Sequence, residues 1–298
     1  MARSGQQFII AAGDHEATVV EVGAGLRRYT HQGVDITAVY GEDDLPPKGC
    51  GAVLVPWPNR LRGGHYVFDG EPFQLGLTEP LKGNAIHGLG RWARWVPVRH
   101  EQSAVTLRLD IVAQVGWPFE VAVEVTYAVH PDTGLSVSTT ALNHGARRAP
   151  FGAGFHPYLS TRGVALDDVR LKVPARERLI LDEANCPVGS QAVAGSPYDL
   201  RRGPKLRDLR LDDAFTDLSH AHGRPVVDLR IKKAGARLWF DETFGFVQVF
   251  TVDQLTDGQP AIAVEPMTCA PDAFNTGAGL VLLEPGAVWS GAWGIQPY

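Results

Sequence analysis

The sequence lacks several features that define large classes of proteins. Its 298 residues include only three cysteines, Cys50, Cys186 and Cys269, and no CxxC pair. It therefore predicts neither a disulfide framework nor a thiolate zinc site, and we expect free, buried thiols in a reducing compartment. No apolar run approaches the roughly 18 residues that a membrane span needs. The apolar run at residues 8–12 is also shorter than the core of a signal peptide. These absences predict a soluble, cytoplasmic protein without a membrane partner.

An excess of positive charge and the common nucleotide-binding motifs are missing as well. The 28 lysines and arginines are outnumbered by 33 acidic residues, without a basic block, which argues against a nucleic-acid partner. The glycines at 23 and 25 lack the third glycine of a dinucleotide-binding loop, and neither a phosphate-binding loop nor a GxSxG motif occurs. His220 and His222 have no third ligand nearby, which favours a solvated loop. The sequence predicts no metal or nucleotide cofactor.

Turn-forming residues and alternating segments are abundant. The 33 glycines and 21 prolines interrupt the chain too often for long helices. Apolar and polar residues alternate in five segments, which predicts half-buried strands: 105–111, 121–129, 135–142, 226–231 and 246–252. Asp69-Gly70 lies between two apolar runs and predicts a hairpin, and HPDTG at 130–134 predicts a longer turn.

Together these patterns predict an all-β fold. No window longer than about ten residues keeps a helical period, and no internal repeat is found. We expect residues 1–298 to form a single domain, a large antiparallel β-sandwich. Residues 186–210, rich in Gly, Pro and Arg, are predicted to be a surface loop excursion.

Two candidate site segments lie in the first third of the chain. In PWPNRLRGG, Asn59 and Arg60 lie between two prolines and two glycines. A guanidinium there can donate a fork of hydrogen bonds to vicinal hydroxyls or to a carboxylate, although a surface arginine in a loop has the same local context. In NAIHGLGRW, His87 precedes Gly88. His87 is either a site residue or a hydrogen-bonded core histidine, and the local sequence leaves both interpretations open.

The third segment, PFGAGFHPYL, contains His156 directly before Pro157. Proline denies a helical backbone to the residue before it, so we expect an extended or turn geometry that presents the imidazole into a lined pocket. The same dipeptide at His130-Pro131 lies in a polar turn and is predicted to be structural.

Acidic residues define the last two candidate segments. In LDDAF, Asp212 and Asp213 precede an aromatic residue, a pattern that also occurs in turns and caps. In AIAVEPMTCAPDAFN, Glu265 ends an apolar run that predicts a buried strand. A carboxylate is costly to bury unless it is paired, hydrogen-bonded or used in proton transfer, so a functional role is favoured for Glu265.

The order NR, HG, HPY, DDxF and EPMT with a trailing Asn resembles the aldose 1-epimerase (galactose mutarotase) family over nearly the whole chain. The segment NRLRGGHYVFDGEPFQL is also similar to the N-terminal signature of that family. The resemblance implies a large antiparallel β-sandwich, the galactose mutarotase-like supersandwich. It also implies the interconversion of α and β anomers of free aldoses, without a cofactor.

The resemblance also implies residue roles. His156 matches the general acid and Glu265 the general base, while Arg60, His87 and Asp212 match positions that bind sugar hydroxyls. The family's acidic residue stands three positions before Phe, which selects Asp212, with the adjacent Asp213 as the alternative. An imidazole and a carboxylate with pKa values brought toward neutrality would suit proton transfer in both directions.

The sugar and its mode of contact stay open. Leu89 after Gly88 and Leu159 after HPY depart from the family pattern, which leaves the sugar preference undecided. Three aromatic residues are candidates to cover the apolar face of a pyranose: Trp57, Phe155 and Tyr158. The expected partner is a small-molecule sugar, and a monomer and a homodimer are both open.

Three alternatives remain. A hexose-phosphate mutarotase would need an extra cationic cluster, for which Arg62, Arg91 and Arg94 lie near the implicated motifs. A non-catalytic carbohydrate-binding protein would use the same polar residues only as hydrogen-bond partners. A glycoside hydrolase would need two opposed carboxylates, and only Glu265 is a strong candidate.

Overall fold

The structure, a computed structural model, describes residues 2–220, 223–255 and 258–298, and strands make up nearly all of its regular elements. The strand pairs within these residues are antiparallel. The prediction of an all-β, antiparallel fold is therefore confirmed. No helix in the described ranges is long and apolar enough to cross a membrane.

Two eight-stranded sheets form the body of the fold, and their strands are numbered along the chain. The first sheet has the order β10 (Val96–His100), β11 (Ala104–Ile111), β12 (Val121–His130), β13 (Gly134–Asn143), β26 (Val288–Pro297), β22 (Ala234–Phe240), β21 (Val226–Ile231) and β17 (Arg170–Lys172). The second has the order β19 (Pro187–Ala192), β18 (Ala175–Leu181), β20 (Asp212–Leu218), β23 (Phe246–Val252), β24 (Ala261–Met267), β15 (Gly154–Phe155) and β5 (Val53–Leu54), and β16 (Tyr158–Ser160) also pairs with β24.

Smaller sheets and short helices complete the fold. A four-stranded sheet contains β1 (Gln7–Ala12), β2 (His15–Val20), β3 (Leu26–His31) and β4 (Val34–Asp35). The two-stranded pairs are β6 (Arg60–Arg62) with β9 (Asn84–Ile86), β7 (His65–Phe68) with β8 (Glu71–Gln74), and β14 (Ala149–Phe151) with β25 (Val281–Leu283). The helical elements are α1 (Ala273–Thr276) and 3-10 turns at Pro47–Gly49 and Leu166–Asp168.

The five strands predicted from alternation correspond to β11, β12, β13, β21 and β23, with ends that differ by at most one residue. The predicted hairpin is also present between β7 and β8, where Asp69 and Gly70 both have positive φ. One prediction was wrong in part, because Pro187–Ala192 forms the edge strand β19 rather than loop. Most of its side chains are exposed, so it lacks the alternation that marks a half-buried strand.

The core lies between the two large sheets. Phe155 on β15 packs against Trp293 on β26, with ring centroids 5.2 Å apart, and so joins the second sheet to the first. All seven residues of β24 are buried, because the strand has neighbours on both sides and both of its faces are covered. Glu265 therefore lies in a strand that excludes water. The three cysteines are buried and none of them forms a disulfide, as expected.

Candidate active site

Strand register brings His156 and Glu265 together. Gly154 on β15 is opposite Met267 on β24, and Tyr158 on β16 is opposite Ala263. His156 lies midway between the paired positions 154 and 158, and Glu265 lies midway between 263 and 267, so the antiparallel register places them across from each other. Their side chains meet at a distance of 3.4 Å between Nε2 of His156 and Oε1 of Glu265.

The His156 ring is held by contacts on both sides. Pro157 interrupts the ladder between β15 and β16, and the His156 backbone bonds instead to the segment after the first 3-10 turn: its N–H donates to Ala52 O at 3.1 Å, and its O accepts from Gly51 N at 2.9 Å. The ring stacks on Tyr158, with centroids 5.0 Å apart. On its edge it meets Gly49, where a Cβ would lie only 3.2 Å from Cδ2 of the histidine. The imidazole therefore has a fixed direction.

Burial sets the protonation of this pair. His156 and Glu265 are 4% and 2% exposed. Burial, reinforced by the positive charge of Arg91, lowers the pKa of His156 to about 3. Burial, reinforced by the negative charge of Asp212, raises the pKa of Glu265 well above its ordinary value. At intermediate pH the pair thus holds one proton, on the carboxyl. The expected shift toward neutrality is found for Glu265 but not for His156, because desolvation disfavours the imidazolium.

Asp212 and Asp213 point to opposite faces of β20, as neighbouring residues of a strand must. Asp212 lines the pocket, where its carboxylate accepts hydrogen bonds from Gln248 Nε2 at 2.7 Å and Asn185 Nδ2 at 3.0 Å. Asp213 turns away and pairs with Arg178. Of the two alternatives, only Asp212 is placed to contact a ligand.

Arg60 is oriented by a carboxylate that the sequence did not single out. Its Nε and Nη2 donate to the two oxygens of Glu79 at 2.9 and 3.0 Å, and Nη2 lies 4.0 Å from Asp212. Burial opposes the charge, but the hydrogen-bonded Glu79 and nearby Asp212 raise the pKa of Arg60 above its ordinary value. The guanidinium is therefore a permanent cation fixed at the pocket wall.

His87 enters the pocket from the turn after β9. Its Nδ1 accepts the backbone N–H of Asn59 at 3.2 Å, and its own backbone N–H donates to Asn59 O at 2.8 Å. Burial lowers the pKa of His87 well below its ordinary value, so the ring is neutral. With Nδ1 accepting, the proton of the neutral ring lies on Nε2, which becomes a donor for a ligand. Gly88 is required next to it, because a Cβ there would lie 2.1 Å from Val55 O.

These groups line one pocket of about 320 Å³, at the lower end of the range for small-molecule sites. All five predicted site residues, Arg60, His87, His156, Asp212 and Glu265, lie on its wall.

The aromatic prediction was wrong. Trp57, Phe155 and Tyr158 are buried in the interior and do not line the pocket. Trp92, which is 49% exposed, and Phe250 line it instead. How deep an aromatic ring lies depends on the packing of the sheets against each other.

Two supporting polar residues were missed by the sequence analysis. Glu79 orients Arg60, and Gln248, directly across from Glu265 in the β23–β24 register, donates to Asp212. A signal for each exists in the sequence. Glu79 precedes a proline, as Glu265 does, and Gln248 is the single amide within the apolar strand FVQVFTV.

Among the described residues, no group of three or more His, Cys, Asp or Glu side chains is arranged to hold a metal ion. His222, of the His220 and His222 pair considered above, lies outside the described residues.

Comparison with solved structures shows what kind of fold this is. The chain superposes on the GalM/aldose epimerase homologue from C. elegans with a TM-score of 0.86 and 20% identity, covering 98% of each chain. It superposes on galactose 1-epimerase from Lactobacillus acidophilus NCFM with a TM-score of 0.80 and 19% identity, covering 97% of this chain and 92% of the other. The fold is that of the galactose mutarotase-like proteins.

Sequence comparison defines the family. The profile of the aldose 1-epimerase family matches residues 6–296. The chain is also 34% identical over 289 residues to the uncharacterized protein YihR of Escherichia coli K12, a match that covers 95% of this chain and 90% of YihR. This protein belongs to the aldose 1-epimerase family, a family of isomerases, and the resemblance inferred from its motifs is confirmed.

Proposed function

We propose that this protein is an aldose 1-epimerase that interconverts the α and β anomers of an aldose, such as galactose or glucose, by general acid and base catalysis. The observation that carries the proposal is the pair of His156 and Glu265, buried at the base of a polar pocket with 3.4 Å between Nε2 and Oε1. Membership of the aldose 1-epimerase family supports it.

The reaction needs one proton donor and one proton acceptor at the same time. In ring opening, the Glu265 carboxylate removes the proton of the anomeric O1 hydroxyl, and the His156 imidazolium delivers a proton to ring O5. The C1–O5 bond breaks, and O1 becomes the aldehyde oxygen. Rotation about C1–C2 exposes the other face, and the two transfers run in reverse to close the ring. Proton balance is kept because the pair holds one proton throughout.

The pKa shifts identify the resting form of the pair. A protonated Glu265 and a neutral His156 are the forms that close the ring, since they return a proton to O1 and accept one from O5. Moving the proton from Glu265 to His156, whose atoms lie within reach of each other, produces the form that opens it. Both forms have the same number of protons, so one pair serves both halves of the reaction.

The pocket wall supplies the groups that hold the sugar. Arg60 and Nε2–H of His87 donate hydrogen bonds, and Asp212 accepts them, which suits the paired donor and acceptor character of hydroxyls. Trp92 and Phe250 offer apolar surface to the C–H face of a pyranose. The volume of about 320 Å³ suits a single sugar unit.

The test is mutarotation itself. Freshly dissolved α-anomers of glucose and galactose are followed by polarimetry or NMR, with and without the purified protein. We expect the approach to anomeric equilibrium to accelerate in proportion to protein concentration. Binding of aldoses without acceleration would instead favour a non-catalytic carbohydrate-binding protein. If no aldose were bound and none were accelerated, the proposal would be refuted.

A further inference from the structure

Three arginines near the site motifs differ in their ion-pair partners and in whether they line the pocket. Arg62 is bound by Asp182 at 2.7 Å and lies 3.7 Å from Asp272, and Arg94 is bound by Glu21 at 2.8 Å. Neither of them lines the pocket, whereas Arg91 does. Only Arg91 therefore faces the space where a ligand binds.

Arg91 brings positive charge into the pocket without a carboxylate of its own. It forms no ion pair within the described ranges, and its guanidinium lies 5.5 Å from the ring centroid of Trp92. Burial lowers the pKa of Arg91, and the negative charge of Glu79 opposes this shift. Glu79 is already bound in a two-pronged hydrogen bond to Arg60. The charge of Arg91 is felt by His87 and His156, whose pKa values it helps to lower.

A second cation, Lys48, also lines the pocket. It is exposed, lies 5.8 Å from the ring centroid of Phe250, and has no ion-pair partner in the part of the chain that the structure describes. Its position is fixed by the backbone, because the Tyr158 hydroxyl donates to Lys48 O at 3.4 Å and the next residue, Gly49, packs on the His156 ring. The backbone of Lys48 is thus held near the catalytic pair, while its side chain is exposed.

The acidic and basic groups of the pocket differ in whether they have a partner. The acidic groups at its base and wall are satisfied: Glu79 binds Arg60, Asp212 accepts two amide hydrogen bonds, and Glu265 is protonated. The cations that lack a carboxylate, Arg91 and Lys48, are less buried than His156 and Glu265. A sugar whose C1 and ring oxygen meet the buried pair would direct its other end toward them.

From this arrangement we infer that the pocket is selective for aldoses that carry an anionic group, such as phosphate, sulfate or carboxylate, at the end of the sugar remote from C1, with Arg91 and Lys48 binding that group. The inference rests on the proposed function and names the substrate class of the same pocket. Guanidinium and ammonium groups are both common ligands of such oxyanions.

The experiment compares matched sugars. Exchange spectroscopy by NMR measures anomer interconversion at equilibrium for glucose, glucose 6-phosphate, glucose 6-sulfate and glucuronate, and for the corresponding galactose series, after subtraction of the uncatalysed rates. We expect kcat/KM for at least one anionic member to exceed that of its neutral parent by about ten- to a hundred-fold, the contribution of charged hydrogen bonds. The ratio should fall as salt is added. The three anions distinguish phosphate, sulfate and carboxylate as the preferred group.

The variants test which residues carry the preference. Arg91→Met and Lys48→Met should each lower the ratio of anionic to neutral kcat/KM by about tenfold, and Arg91→Lys should keep part of it. Arg94→Met is the matched control, since its guanidinium is bound by Glu21 outside the pocket, and the ratio should stay at the wild-type value. Thermal unfolding of each variant checks that it is folded.

Two different failures can be distinguished. If the wild type accelerates neutral aldoses at least as well as every anionic one, or if Arg91→Met and Lys48→Met leave the ratio unchanged, the inference is refuted and the proposed function stands. If no aldose is accelerated, the proposed function is refuted. In that case calorimetry with 1,5-anhydroglucitol and its 6-phosphate, which cannot mutarotate, decides the charge preference: equal affinity for the two refutes it, and tighter binding of the phosphate supports it.

Discussion

The most direct test of the catalytic pair is to replace each member by a neutral residue of similar shape. Glu265→Gln keeps the volume of the side chain and a hydrogen-bonding oxygen, but it cannot exchange a proton. His156→Asn keeps a polar group near the former imidazole but has no titratable nitrogen. Both variants should therefore lose proton transfer while the pocket remains.

The expected loss of kcat follows from the contribution of a single general acid or base. A positioned general acid or base contributes about 10²- to 10⁴-fold, so each variant should lower kcat by that factor. Because Nε2 and Oε1 lie 3.4 Å apart and share one proton, the pair acts as a unit. The double variant should accordingly be little slower than either single variant, rather than slower by the product of the two factors.

Stability should move in a direction opposite to activity. The folded pKa of Glu265 lies above its ordinary value of 4.5, so folding takes up a proton at pH values between 4.5 and the folded pKa. As pH rises through this range, the carboxyl therefore lowers the free energy of unfolding. The neutral amide that replaces it in the Glu265→Gln variant does not titrate and carries no such penalty. We therefore expect Glu265→Gln to unfold at the same or a higher temperature than the wild type above pH 4.5, with an advantage that grows with pH up to the folded pKa.

The assay combines anomer exchange by NMR, thermal unfolding at several pH values, and binding of an aldose by calorimetry. His130→Asn is the matched control, since His130 also precedes a proline but is exposed at the end of β12, 3.2 Å from Ser136 Oγ, and it should leave mutarotation unchanged. Near-wild-type mutarotation by folded His156→Asn or Glu265→Gln would refute the assignment. So would a double variant slower by the full product.

Four further outcomes are expected. The pH profile of kcat/KM should have an acid limb well below 6.5 and an alkaline limb well above 4.5, because His156 and Glu265 must together hold one proton; an acid limb at 6.5 or above, or an alkaline limb at 4.5 or below, would contradict this. Asp212→Asn should raise KM by about tenfold, whereas Asp213→Asn, which acts on the Arg178 pair, should leave KM unchanged in the same titration. Arg60→Met should raise KM by about ten- to a hundred-fold with a smaller loss of kcat, and a collapse of kcat at constant KM would exclude a binding role. Exhaustive chelation and dialysis should leave the mutarotation rate unchanged, and restoration of a lost rate by one divalent ion would show that a metal is needed.

Local sequence was sufficient for the strands and for much of the site. The alternation in β11, β12, β13, β21 and β23 is a property of neighbouring residues, because the two faces of a half-buried strand meet different surroundings. The Asp69-Gly70 hairpin is local for the same reason, since both residues tolerate positive φ. His156 and Glu265 were found because each sits beside a proline, and the order of the motifs identified their family.

Tertiary structure decided what depends on partners distant in the chain. Whether Asp212 or Asp213 faces the pocket depends on which face of β20 meets β23 and its Gln248, and strand alternation alone leaves that choice open. The three arginines near the motifs look alike in sequence, yet Arg62 and Arg94 are neutralised by carboxylates 120 and 73 positions away.

The electrostatics of the pair also arise only in the folded chain. In the sequence, His156 and Glu265 each stand beside a proline, but they are more than 100 residues apart. Their 3.4 Å approach requires the register of β15 and β16 on β24. Their opposed pKa shifts require that both faces of β24 be covered. Such shifts follow from the exclusion of water, and water is excluded only when the sheets have packed.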